Sequence, residues 1–248
     1  MSTSPTPESG AFDRRLDFAP WSLSGTVLGP LLNDPAALAA LGQEVHAAPY
    51  KAPPRAPVLY IQPRNTLAAS GAPVPVSGDV PAFEIGATLG LVVGRTACRV
   101  AASQALAFVA GWVLVADLSV PQTSFYRPSL RFKVRDRSCL IGRAVAAQPR
   151  SAFDPEAAVL RVQIEGRPLH EVSMAGMQRP AARLLEEVSE FMTLHPGDVL
   201  LLGLRHGAPR VVAGERFSVL CEGLGALEGR LSAGQQVPEV REMQEGQP

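Results

Sequence analysis

Apolar residues gather in two neighbouring blocks, Glu84 to Gly94 and Trp112 to Ala116, which have the length and content of buried strands. The second block ends on a carboxylate, Asp117, and passes into a polar connection carrying Tyr126, Arg127 and Pro128. Beyond it, Leu130-Arg131-Phe132-Lys133-Val134-Arg135 alternates apolar with cationic residues. Read as a strand, this segment sets Arg131, Lys133 and Arg135 on one face. A carboxylate leaving a buried strand must be solvated, paired or bound to a cation, because burying it bare costs several kcal/mol. The stretch from Asp117 to Asp136 is therefore a candidate site for an anionic ligand or a metal ion. The same alternation also describes the solvated face of an ordinary sheet, so the pattern alone leaves both readings open.

Shorter patterns fill in the remainder. Asn33-Asp34-Pro35 predicts a helix start, with Asn33 or Asp34 as cap and Pro35 in the first turn, running to about His46. Strands are predicted at Pro57 to Gln62, Leu140 to Ala147, Val159 to Ile164, Leu169 to Val172, Val199 to Gly203 and Phe217 to Glu222. Glu165-Gly166-Arg167-Pro168 turns the Val159 strand back onto the Leu169 strand. Helices are predicted over Ala101 to Ala110 and Ala181 to Phe191, the latter with Leu184, Leu185, Val188 and Phe191 on its apolar face. Pro73 to Pro81 reads as loop. The fold class is thus α+β, mainly β.

Composition narrows the function. Over 248 residues the formal net charge is zero and no long basic run occurs, which argues against a nucleic-acid-binding face. The cysteines, Cys98, Cys139 and Cys221, lie far apart and form no Cys-x-x-Cys pair, as in a reducing compartment. No signal-like apolar core opens the chain and no apolar run is long enough to span a bilayer, so a cytoplasmic protein without a membrane partner is expected. With 23 Pro and 22 Gly, many turns and short strands are favoured over a helical bundle. There is no metal-ligand cluster of His and Cys, no Gly-x-Ser-x-Gly elbow, no Walker loop and no Gly-x-Gly-x-x-Gly after a strand. Acid-plus-cation chemistry is what remains.

Several blocks in unbroken order resemble the fumarylacetoacetate hydrolase superfamily. They are Pro63-Arg64-Asn65-Thr66, Leu91-Val92-Val93-Gly94-Arg95, Phe108-Val109-Ala110-Gly111-Trp112, Asp117, Phe125-Tyr126-Arg127-Pro128 with Lys133, and Ser189-Glu190-Phe191-Met192-Thr193-Leu194-His195-Pro196-Gly197-Asp198. Tyr50-Lys51-Ala52-Pro53-Pro54 and Ser124-Phe125-Tyr126-Arg127-Pro128 look like one subgroup, the N-terminal half or separate N-terminal subunit of the isomerase/decarboxylases of 4-hydroxyphenylacetate (homoprotocatechuate) degradation. The resemblance implies a mixed β-roll or folded sandwich with flanking helices over residues 32–236. Residues 1–31 are then an N-terminal extension, partly disordered, and 237–248 a flexible tail. It implies oxo-di- or tricarboxylic substrates of the 5-carboxymethyl-2-oxo-hex-3-ene-1,7-dioate type. It also implies a divalent cation (Mg, Mn or Ca) held by oxygen ligands, which stabilises an enolate when carbon dioxide leaves or a double bond migrates. Assembly as a homo-oligomer, or with a paralogous subunit of the family, is expected. Carried over by position, Lys133 is the catalytic lysine, Tyr126, Arg127, Lys133 and Arg135 bind substrate, and Asp117 is a metal ligand.

The departures from the family pattern bear on all of this. The family's Glu-x-Glu metal ligands fall on Gly86 and Thr88, and its short helix with a catalytic His and Glu falls on Asn33-Asp34-Pro35-Ala36-Ala37. The lysine of its Lys-Pro-x-Asn-Thr block is Gln62, and its Gly-Thr-Pro is Gly203-Leu204-Arg205. One oxygen ligand out of three does not hold magnesium firmly, so the metal site is expected to be degenerate. Glu84 is the remaining conceivable second ligand, two residues before Gly86 and about 7 Å along the strand. Asp117 is expected to be either a vestigial ligand paired with Lys133 or Arg131, or a live one. The chain then serves as the N-terminal-type subunit of a two-part enzyme, as a non-catalytic scaffold or small-carboxylate binder, or as an independent enzyme using Glu84 and Asp117.

Overall fold

The two apolar blocks become the longest strands of the molecule and lie side by side in antiparallel register, Gly86 opposite Asp117 and Gly90 opposite Val113. In the computed structural model, residues 25–76, 78, 80–122, 125, 130–143, 145–146 and 153–233 are described. Among them the strands, in chain order, are β1 (Val27–Leu31), β2 (Val58–Gln62), β3 (Leu67–Ala69), β4 (Pro73–Val76), β5 (Phe83–Val93), β6 (Val109–Ser119) and β7 (Cys139–Ile141). There follow β8 (Val145–Ala146), β9 (Val159–Ile164), β10 (His170–Ser173), β11 (Val199–Leu201), β12 (Arg210–Val211), β13 (Arg216–Cys221) and β14 (Gly225–Ala233). The helices are α1 (Pro35–Ala40), α2 (Ala102–Ala105), α3 (Leu130–Lys133) and α4 (Ala181–Phe191).

One mixed sheet runs β2-β1-β11-β5-β6-β7-β3, with β12 on β5 and β8 on β6. Its two outermost strands, β2 and β3, are joined only by Pro63 and the 3-10 turn Arg64–Thr66, so the sheet must curl until its edges approach. Tyr60 of β2 and Leu67 of β3 accordingly share one buried cluster with Val113, Val115, Cys139 and Ile141, inside the roll. The outer face packs against a second sheet, β10-β9-β13-β14-β4, and against α4. Leu89, Leu114 and Leu118 meet Leu160, Val219, Leu227, Leu184 and Leu185 there, all essentially without exposed surface. The chain is mostly β with curled sheets, as the pattern and the resemblance implied.

The structure corrects several expectations. Leu130–Lys133 is a helical turn and not the start of an alternating strand. Both sides of β6 are already taken, by β5 on one and by β7 and β8 on the other, so no partner remains there for another strand. Helix Ala101 to Ala110 shrinks to α2 and a 3-10 turn, because β6 begins at Val109 and pairs with Val93. β1, not among the strands expected, pairs with β2 and β11. Leu140 to Ala147 divides into β7 and β8, and Pro73 to Pro81 contains β4. Phe191, expected on the apolar face of α4, is 63% exposed.

Candidate functional site

Side chains on one strand face alternate, so Val113, Val115 and Asp117 of β6 all point into the roll. Asp117 comes last in that row and has no exposed surface. The register brings Gly86 opposite it on one side and Cys139 on the other. Three donors surround the carboxylate. Tyr60 Oη donates to Oδ2 at 2.5 Å, Gln62 Nε2 to Oδ1 at 2.7 Å, and Lys133 Nζ lies 2.7 Å from Oδ2. The Lys133 ammonium also stands 4.6 Å from the centre of the Tyr60 ring, a cation–π contact. Gln62 Oε1 is buried with no partner among the described residues.

Neighbouring protons feel this charge. Burial first, and then the Asp117 carboxylate with its hydrogen bond, push the Tyr60 phenol well above its ordinary range. Burial and Asp117 likewise push the Cys139 thiol up, against a smaller opposing pull from Lys133. Both groups stay protonated, Tyr60 as a donor to Asp117.

The other expected ligand positions are occupied otherwise. Glu84 bonds Arg210, its register partner on β12, at 3.1 Å. A Cβ on Gly86 would come within 2.6 Å of the Asp117 backbone oxygen and 2.8 Å of a Leu204 methyl, so Leu204 fills the space over the glycine. Thr88 donates to Gly203 O at 2.6 Å and is fully buried. Asp34 caps α1 and receives Arg205 Nη1 at 2.7 Å and the His206 amide at 2.7 Å. Burial tends to raise the Asp34 pKa, but those bonds outweigh it and leave the carboxyl below its ordinary value.

These residues frame a cavity of about 580 Å³ at the mouth of the roll, lined by Glu84, Gly86, Lys133, Leu204, Arg205 and Arg210 among others. A groove of similar volume on the outer face of the smaller sheet, along Arg216 and Arg230, holds none of the site residues. Lys133 thus reaches both Asp117 and the cavity. Arg131 stacks over the Phe132 ring, and Arg135 donates to Arg131 O. Neither is among the described residues lining the cavity. Tyr126 and Arg127 lie outside the described residues. Sequence reasoning missed Tyr60 and Gln62 as partners of Asp117, and Asp34 with Arg205. The one clue was Gln62 itself, a neutral donor where the family pattern has a lysine.

A divalent ion does not fit these residues. Both Asp117 oxygens are engaged by protein donors, Glu84 is tied to Arg210, and no group of three acidic, His or Cys side chains suited to a metal occurs among the described residues. Glu84 and Asp117 are therefore not brought together as a ligand pair.

Comparison with known proteins places this geometry in context. The family model described as "Fumarylacetoacetate (FAA) hydrolase C-terminal" matches residues 26–232. The chain is 39% identical over 206 residues to the 4-hydroxyphenylacetate degradation bifunctional isomerase/decarboxylase of Escherichia coli, covering 83% of this chain and 47% of that protein. It spans about half the length of the curated relatives it matches. Among solved structures, 5-carboxymethyl-2-hydroxymuconate delta-isomerase from Mycobacterium smegmatis superposes with a TM-score of 0.71 at 24% identity, over 86% of this chain and 81% of that one. Fumarylpyruvate hydrolase from Pseudomonas aeruginosa, in complex with Mn2+ and pyruvate, gives 0.67 at 22% identity, over 84% and 89%. At these identities the two structures show a shared fold. With the family model covering most of its length and the roll in place, the chain belongs to the fumarylacetoacetate hydrolase family.

Proposed function

We propose that this chain is the N-terminal-type half of an isomerase/decarboxylase for oxo-di- and tricarboxylic acids of the 5-carboxymethyl-2-oxo-hex-3-ene-1,7-dioate type. In this reading its own metal site is degenerate, and the metal-dependent step belongs to a paralogous unit of the same family that keeps the ligands. The observation that carries it is the Asp117 carboxylate, whose two oxygens are taken up by Tyr60, Gln62 and Lys133. The likeness to a bifunctional enzyme of which the matched region is only 47% supports a second unit. Oligomerisation with that unit and a cytoplasmic setting are parts of the same proposal. No helix among the described residues is long and apolar enough to cross a membrane.

The test is to purify the chain alone, add the oxo-acid with magnesium, and compare turnover with that of the complex formed with the metal-competent unit. Turnover is expected from the complex and not from the lone chain; equal rates would refute the division of labour.

A second reading, a non-catalytic scaffold or small-carboxylate binder, draws support from the cavity wall. Arg205 is already paired with Asp34 and Arg210 with Glu84, leaving few cations for a polyanion. It predicts that Asp117→Asn leaves turnover of the complex unchanged; a large loss of turnover without unfolding would count against it.

A further inference from the structure

On the outer face of the smaller sheet, Arg216 of β13 and Arg230 of β14 stand directly opposite one another in antiparallel register. Like charges so placed repel, and the sheet gains nothing from the pair itself. Other arginines of this sheet and its turns are neutralised. Arg161 faces Glu171 across β9 and β10 and bonds it at 3.2 Å, and Arg167 is ion-paired with Glu215. Among the described residues, neither the Arg216 nor the Arg230 guanidinium makes a hydrogen bond or an ion pair.

Both arginines line the groove of about 580 Å³ on this face, together with Glu165, Glu228, Ser218 and Gly71. Glu165 follows Ile164, the register partner of Phe217, and its amide donates to Arg216 O at 3.2 Å, so it lies beside Arg216. Glu228 is two positions before Arg230 on β14 and shares its face, about 7 Å along the strand. Neither carboxylate is ion-paired with either arginine. Four charges of both signs therefore line one groove and stay apart. The floor between them is low: Ser218 is the register partner of Glu228, and a Cβ on Gly71 would meet nothing within 4 Å.

We infer that this groove binds a small zwitterion of the α-amino-acid type, its carboxylate held between Arg216 and Arg230 and its ammonium by Glu165 and Glu228. Directly opposed residues have Cβ atoms about 5 Å apart, so two guanidinium groups can close on one carboxylate from both sides. A simple anion would satisfy the arginines but be repelled by the flanking glutamates, and a simple cation would meet the reverse. A ligand carrying both charges complements all four side chains. The groove shares no residue with the cavity at the roll mouth, so the inference stands apart from the oxo-acid reading.

The test is calorimetric titration of the intact chain with L-alanine, with propionate, which lacks the ammonium, and with ethylamine, which lacks the carboxylate. Saturable binding of L-alanine is expected, roughly tenfold or more tighter than that of either single-charge probe. Arg216→Gln/Arg230→Gln removes two opposed like charges and should fold. It is expected to weaken L-alanine binding roughly tenfold to a hundredfold, as for loss of charged hydrogen bonds. Glu165→Gln/Glu228→Gln should also weaken L-alanine binding yet take up propionate more tightly than wild type does, a reversal that a merely structural role would not produce. No saturable binding of L-alanine to the folded wild-type chain, propionate bound as tightly as L-alanine, or wild-type affinity in the folded arginine double variant would each overturn the inference.

Discussion

Lys133 Nζ lies 2.7 Å from Asp117 Oδ2, and the two side chains are 7% and 0% exposed. They are 16 positions apart in number, one in a helical turn and one at the end of β6. A pair so far from water gains from Coulomb attraction about what desolvation costs it, and the fold depends on it chiefly because neither partner tolerates loss of the other.

Breaking the pair from one side should therefore be costly. Lys133→Met, which leaves the carboxylate to Tyr60 and Gln62, is expected to lose about 3–5 kcal/mol of unfolding free energy. Asp117→Asn/Lys133→Met should recover most of that loss. A double-mutant cycle by urea denaturation reads the coupling, and strictly additive single losses would contradict it.

The Glu84–Arg210 contact should behave in the opposite way. Arg210 is 63% exposed in this pair, so Glu84→Gln is expected to change stability by no more than about 1 kcal/mol. A loss of several kcal/mol in the same denaturation experiment would show that Glu84 does more than pair at the surface.

Gly86 makes a steric prediction. Gly86→Ala places a methyl against the Asp117 backbone oxygen and Leu204, an overpacking that costs typically 1–3 kcal/mol, here expected at about that size. Leu204→Ala in the same chain should relieve only part of it, since the nearest atom is backbone. Full relief, seen as a restored melting temperature, would place the strain in the side chain alone.

Alkaline stability follows from Tyr60 and Cys139. Both hold their protons above the ordinary phenol and thiol ranges. Once pH exceeds those ordinary values, the unfolded chain releases protons that the folded chain keeps. Stability is then fully present below that range and falls as pH rises, by about 1.4 kcal/mol per pH unit for each such proton. Tyr60→Phe should lower stability near neutrality, by removing a donor to Asp117, yet flatten the alkaline decline. An unchanged slope in denaturation curves across alkaline pH would contradict this account of Tyr60.

Much of the fold was readable because it rests on local pattern. Val159–Ile164 and Ala181–Phe191 begin and end where alternation and helical periodicity place them, and β5 departs from its expected span by one residue at each end. What escaped was decided by partners distant in sequence. The Leu130–Arg135 alternation satisfies a strand, yet the neighbouring sheet positions go to β7 and β8. β14 was missed because Gly225 and Gly229 interrupt it; at Gly229 the Phe217 ring occupies the space a side chain would need. Gly86 and Thr88 were legible in the sequence as positions without the family's carboxylates, and the structure finds Leu204 over the first and the Gly203 carbonyl bonded to the second. The donors around Asp117 were not legible, because Tyr60 and Gln62 reach it only when the roll closes.

The central claim, that protein donors have taken over the carboxylate a metal would need, is tested most directly by titrating Mn2+ into the intact lone chain in a calorimeter. The account predicts no saturable binding at the roll mouth, with wild type and Asp117→Asn giving the same heats. A one-site isotherm in wild type that disappears in folded Asp117→Asn would contradict it.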